Sequence, residues 1–465
     1  MAATVPASAK LATTVLLALA ALFLLPSAAG AFQASEAAAE GIGDETQFVL
    51  NTFSLLIWGA LVMWMCAGFT MLEAGSVRSK NASMICLKNV GLYSVAGLMF
   101  FVIGFNLMYG DVEGGFLGTF RLLVGPSDAE VSIMSGGTGA IGDLLSTGRS
   151  EPAFWFFQMV FVATAASIVS GAIAERIKLW VFLAFIAVLT AFIYPIVGAW
   201  TWGGGWLAER GFQDFSGSTV VHSTGGWAAL AGLLVIGPRL GKFRADGTVK
   251  TTPPSNVLLV TLGVLILWFG WFGFNGGSQL ALASAKDAVS MSMILVNTNL
   301  AGASGFVMTL LVVRRFCGRL DLAVCLNGAL AGLVAITAGP DLVEFWWSVI
   351  IGAVGGLLAT ASTRALERYR VDDVVGAVPV HLVAGIWGTL AASIAAGADL
   401  GTQLVGVLSI GAFVFGASLL LWKVLDLVVG VRVDSDVERV GQDVGELGIE
   451  SQPEFMLMPD DVGDM

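Results

Sequence analysis

From residue 47 onward the chain is a succession of long apolar runs, each closed by Gly, Pro or charged residues. Runs near 47–73, 84–110, 153–174, 179–201, 218–237, 256–275, 288–313, 321–338, 345–363, 377–396 and 401–427 are long and apolar enough to cross a bilayer as helices. The pattern predicts an all-α polytopic membrane protein with eleven transmembrane helices. Composition agrees. With 56% hydrophobic and 12% charged residues and a mean hydropathy of +0.84, the chain lies outside the soluble range. A formal charge of −11 argues against a nucleic-acid partner, which demands a basic face. Cys66, Cys86, Cys317 and Cys325 lie in or beside apolar runs, without the spacing of a disulfide framework or zinc site.

Residues 1–31 form a separate unit. Lys10 precedes "LATTVLLALAALFLL", and Pro26 and "SAAGA" follow. That order reads as a signal peptide cut after Ala31. An extra transmembrane helix is the competing reading, and the helix breaker and small-residue site argue for cleavage. Residues 32–46 are then an extracytoplasmic segment, 47–427 the eleven-helix domain and 428–465 a hydrophilic, acidic tail.

Charge placement gives the orientation. Alternate connections carry Arg78, Lys80 and Lys88; Arg176 and Lys178; Arg239, Lys242, Arg244 and Lys250; Arg314, Arg315 and Arg319; and Arg364, Arg368 and Arg370. Lys423, Arg432 and Arg439 at the C-terminal side bring these to eighteen of the 23 basic residues, against Arg121, Arg149, Arg210 and Lys286 opposite. The positive-inside rule places the N-terminus outside and the C-terminus in the cytoplasm of a cell-membrane protein. A miscounted helix would scramble this segregation. The outer connection 111–152 contains "GTGAIG" (137–142), which has no strand before it and reads as a flexible loop rather than a nucleotide fingerprint. "NAS" (81–83) lies on the cytoplasmic side and is a chance match to a glycosylation acceptor.

Eleven helices divide as five, five and one. An odd repeat inverts its second copy, and an inverted repeat places its working site near mid-membrane between the halves. The chain has two histidines, His222 in the fifth run and His381 in the tenth, in "VHSTGGW" and "VHLVAGIW". Each has Val before it and Gly four residues on. Histidine is costly in hydrocarbon and marks function there. A pseudo-twofold axis brings the two rings to one depth, where neighbouring imidazoles can share a proton. The competing readings are a bis-His haem, which lacks further support in the sequence, and two packing histidines satisfied by backbone carbonyls.

Seven motifs then occur in order: "MLEAGSVRSKN" (71–81), "SGAIAERIK" (170–178), "WGGGWL" (202–207), "DFSGSTVVH" (214–222), "WFGFNGGS" (271–278), "NGALAGLVAITAG" (327–339) and "VDDVVGAVPVH" (371–381). Over about residues 47–450 the chain resembles the ammonium transporter (Amt/Rh) family, on its Amt side. The resemblance implies an outer ammonium recruitment site at Trp202, Phe157 and Ser278, a gate at Phe161 and Phe274, and pore histidines at His222 and His381. It makes Asp214 a buried acid that orders the outer site, and Trp271 a pore-lining neighbour of the histidines. It also implies one pore per subunit, a homotrimer, methylammonium as substrate analogue, a cytoplasmic PII-type signal protein as partner, and no cofactor or enzymatic reaction. Aromatic faces bind a compact cation and a hydroxyl accepts its hydrogen bond. An apolar constriction then excludes ammonium and potassium by desolvation while neutral ammonia passes. The tail departs from the family. "GQDVGELGIE" (441–450) keeps Gly441, Asp443 and Gly448 of a Gly-x-Asp-x-x-x-His-Gly-Glu pattern, but has Leu447 at the histidine and Ile449 before Glu450. A membrane ammonium sensor with the same fold and little flux is the alternative function.

Overall fold

The computed structural model describes residues 42–112 and 114–452. The leader read at 1–31 and most of the 32–46 segment lie outside them. Eleven helices follow one another: α1 Asp44–Ser76, α2 Ser79–Tyr109, α3 Glu151–Ala172, α4 Leu179–Trp200, α5 Ser218–Ile236, α6 Val257–Gly277, α7 Ala285–Arg315, α8 Leu322–Ile336, α9 Phe345–Arg368, α10 Val378–Ala395 and α11 Leu400–Val429. Ten are long and apolar enough to cross a membrane; α8, with 15 residues, extends about 22 Å at 1.5 Å per residue. Among the described residues the only β pairings are two isolated bridges, Ile177 with Arg432 and Phe243 with Val249. The chain is an all-helical, multi-pass membrane protein.

α1 packs along α6, α7 lies against α8 and α9, and α5 rests on α11. α3 is enclosed by these elements, so every residue from 157 to 172 is buried. α5 and α10 both open with a π-helical turn, Ser218–Ser223 and Val378–Val383, and each turn holds one histidine. The two helices pair antiparallel: Thr219 Oγ1 meets Thr389 Oγ1 at 2.6 Å, and His222 meets His381 further along. This is what an inverted repeat requires of its fifth and tenth helices. The glycine four residues after each histidine permits the crossing. A Cβ on Gly226 would come 2.7–2.9 Å from Leu382 backbone and Cβ atoms, and one on Gly385 would come 2.3 Å from the Ser218 carbonyl.

The tail end of the bundle is tied by buried ion pairs. Arg239 donates to both carboxylate oxygens of Asp372 and, at 2.8 Å, to Glu175. Glu175 also accepts from Arg78, and buried Arg176 donates to the Asp372 carbonyl at 2.7 Å. Burial works against an ionised Asp372, but the Arg239 bonds and charge hold its carboxyl down at about 2. Four connections are thereby joined. The tail docks beside them: Asp443 caps α2 through the N–H groups of Ser83 and Met84, and Glu438 accepts from Leu240 N and Arg432. Asn81, of the glycosylation match, is buried and accepts from Gln442 N.

Two expectations need correction. Connection 111–152 is not a featureless loop, because it carries the short helices Asp128–Met134 and Ile141–Ser146. Ser127 and Glu130 close a reciprocal capping box on the first, and Glu130 also accepts from Ser150 and from the Glu151 N–H. Lys88, assigned to a connection by its charge, lies inside α2 and is 1% exposed.

Candidate functional site

At the face opposite the tail, a cavity of about 540 Å³ opens between α2, α3 and the 200–215 segment. Trp202, Phe157, Phe161 and Ser278 line it together. The indole of Trp202 is fixed by its Nε1, which donates to the Asp214 carbonyl at 2.9 Å. Ser278 donates to the Phe274 carbonyl at 2.9 Å, which turns its oxygen lone pairs to other partners. Tyr109, Gln158, Glu130 and Glu151 add polar groups to the wall, and Arg149 stacks on Phe154 at 4.2 Å.

Below the cavity aromatic rings close the way. Phe161 stacks on Phe274 with centroids 4.0 Å apart and planes 21° apart, and Phe157 packs against Phe161 at 4.8 Å. Both stacked rings are buried. Phe274 leads to His222 at 5.2 Å, and Trp271 flanks His222 at 5.0 Å while its Nε1 donates to Thr337. The imidazoles of His222 and His381 face each other through their Nδ1 atoms at 3.3 Å. Two neutral rings can make this contact only with one nitrogen donating and the other accepting. His222 Nε2 has no partner among the described residues. Past His381, whose ring is tilted 38° to that of Phe69 with centroids 6.4 Å apart, a cavity of about 20 Å³ has room for about one water.

Asp214 stands apart from this column. Its carboxylate accepts from the N–H groups of Ser218, Thr219 and Val220 at 2.7–2.8 Å, capping the turn that presents His222. Burial pushes its carboxyl up to about 6, against the pull of those donors. Asp373 plays the same part at α10, accepting from Gly376 N and Val378 N.

All nine residues singled out from the sequence therefore fall on one line or brace it. The chain is similar to known proteins over most of its length. The ammonium transporter family model matches residues 53–451. The chain belongs to the ammonium transporter family. It is 39% identical to Ammonium transporter Amt2 of Archaeoglobus fulgidus, over 90% of this chain and 91% of that protein. It is 35% identical to Ammonium transporter Amt1 of Haloferax mediterranei, over 88% and 80%. Among solved structures, a sensor Amt protein superposes with a TM-score of 0.80 at 37% identity, over 87% of this chain and all of that one. Candida albicans Mep2 gives 0.72 at 26% identity, over 85% and 89%. The family is one of transporters rather than enzymes, and its substrate is ammonium.

Several residues of the site escaped the sequence reading. Glu130 reaches the outer cavity, and its only signal was the Ser-x-x-Glu capping pattern 127–130. Thr219, within "DFSGSTVVH" but not singled out there, and Thr389, outside every quoted motif, join α5 to α10.

Proposed function

We propose that this chain recruits ammonium at Trp202, Phe157 and Ser278, separates its proton at the Phe161–Phe274 pair, and conducts ammonia past His222 and His381. The Nδ1–Nδ1 contact at 3.3 Å carries the reading. A donor and an acceptor side by side, in an otherwise apolar passage, serve a small polar neutral molecule and offer an ion too little to replace its water. The outer cavity supplies what the ion itself needs: indole and phenyl faces for its charge and a serine oxygen for its N–H. Potassium has the charge but no hydrogen to donate, so the step that requires deprotonation excludes it.

In this reading the wide cavity faces outward and the tail lies in the cytoplasm, as the basic connections require. Subunits assemble as a homotrimer with one pore each. The docked tail, with Asp443 seated on α2, is the surface through which a PII-type protein acts.

A sensor Amt protein among the structural neighbours keeps signalling as a second reading. Flux separates the two. In liposomes containing the full chain, an ammonium pulse should drive uptake, and His222→Ala and His381→Ala should each lower it. The double variant should be little worse than either single, because the rings act as one unit. Additive losses would return the histidines to a packing role. Saturable binding without flux would favour the sensor.

A further inference from the structure

Glu73 has no part in the pathway above, yet it lines the same small cavity as His381. It sits on α1 and is 1% exposed. Its Oε2 accepts from the Ser170 hydroxyl at 2.7 Å, while Oε1 makes no well-formed hydrogen bond among the described residues, the Asn89 side chain being the other polar group beside the carboxylate. Buried carboxylate oxygens left without a donor are rare and call for an explanation. Lys88 Nζ lies 3.9 Å from Oε2, held by its own bond to the Ser170 carbonyl at 2.7 Å. The surroundings are otherwise sparing. Cys66 on α1 and Cys86 on α2 are the nearest thiols, and Arg176 lies beyond Lys88. α6 contributes no titratable residue, and α3 none near Ser170. Asp373 is turned to the backbone of Gly376 and Val378.

We propose that Glu73 is the inner proton-exchange residue of the pathway, receiving through His381 and one cavity water the proton that ammonium gives up outside, and returning it to ammonia on the tail side. The inference rests on the conduction reading. In the first step an N–H bond of ammonium breaks and the proton joins His222. It crosses the 3.3 Å Nδ1 contact to His381, whose far nitrogen releases a proton to the water of the 20 Å³ cavity. That water protonates the Glu73 carboxylate. In the last step the carboxyl O–H bond breaks, an N–H bond forms on ammonia, and the carboxylate again faces Lys88. One ammonium ion is consumed outside and one is formed inside, with no other reactant. Lys88 makes the last step favourable: a protonated Glu73 leaves the ammonium of Lys88 unbalanced in a buried site, and proton release restores the pair.

A purely structural ion pair would occupy the same atoms, so the test must read proton movement. The full chain in liposomes is given ammonium pulses at several pH values, recording both charge movement and internal alkalinisation from ammonia entry. Wild type should show charge movement with no alkalinisation beyond that of protein-free liposomes, because the proton arrives together with the ammonia. Glu73→Gln should lower charge movement about tenfold or more and remove its pH dependence, because a side chain that cannot exchange a proton loses acid–base transfer. Alkalinisation should appear in its place, because ammonia then enters without its proton. Glu73→Asp should recover part of the charge movement. The Glu73→Gln/Lys88→Met double variant has no unpaired charge and guards against misfolding; it should remain deficient. Full charge movement in Glu73→Gln, or its recovery in the double variant, would make the pair structural only. Wild-type alkalinisation without charge movement would also overturn the inference while leaving conduction intact. Absence of both signals in wild type would instead remove the conduction reading itself.

Discussion

Replacing Trp202 by leucine is the most direct probe of how the cation is first held. The half-buried indole lines the outer cavity and leaves an aromatic face partly open there. A cation over such a face gains about 1–2 kcal/mol when partly desolvated. Loss of that amount weakens apparent affinity about 5- to 30-fold, since 1.4 kcal/mol is a factor of ten. The hydrogen bond from Nε1 to the Asp214 carbonyl is lost as well, which costs about 1 kcal/mol of stability without touching the substrate. Trp202→Phe separates the two effects, because it keeps an aromatic face and loses only the N–H. The assay is the concentration dependence of methylammonium uptake into liposomes. Trp202→Leu should raise half-saturation within that range and leave the maximal rate nearly unchanged, since recruitment precedes the Phe161–Phe274 constriction. Trp202→Phe should stay close to wild type. Equal half-saturation in wild type and Trp202→Leu would remove the indole from the recruitment site.

Topology and the tail-side clamp give three further outcomes. A cysteine introduced in 239–250 should react with an impermeant reagent only from the cytoplasmic side; labelling from outside would invert the orientation. Arg239→Met strands the buried carboxylate of Asp372, leaves Glu175 with Arg78 alone, and should destabilise the detergent-solubilised protein by about 3–5 kcal/mol, seen as a lower melting temperature at pH 7. Asp372 is held at about 2 in the fold, below the ordinary value of about 3.9. A depressed carboxyl stabilises fully above the unfolded value and loses that contribution as pH falls through the folded one. About 2–3 kcal/mol should therefore disappear between about pH 4 and pH 2. The Arg239→Met variant should show a shallower fall across that window, and an equally steep one would assign the acid sensitivity to other groups.

What the sequence determined alone was the list of spanning segments and the residues worth watching. Hydrocarbon thickness is a local requirement, met or missed by each run of about twenty residues, so helix positions could be read without knowing their neighbours. The two histidines stood out for the same reason: a polar ring inside an apolar run is costly wherever that run lies. Their shared Gly at +4 was visible too, but its meaning was not. Only the crossing of α5 and α10 shows that Gly226 and Gly385 leave room for backbone approach. Tertiary structure alone decided the rest. His222 and His381 are 159 positions apart, and their 3.3 Å contact depends on how two helices rotate and cross. The Phe161–Phe274 stack, the seating of Asp443 on α2, and the meeting of Glu73, Lys88 and Ser170 are equally long-range. Glu73 shows the difference most clearly. In the sequence it is an acid near the end of the first helix, and in the fold it shares a cavity with a histidine from the tenth. Apolar length is a property of one segment, whereas a side chain's partners depend on every helix packed around it.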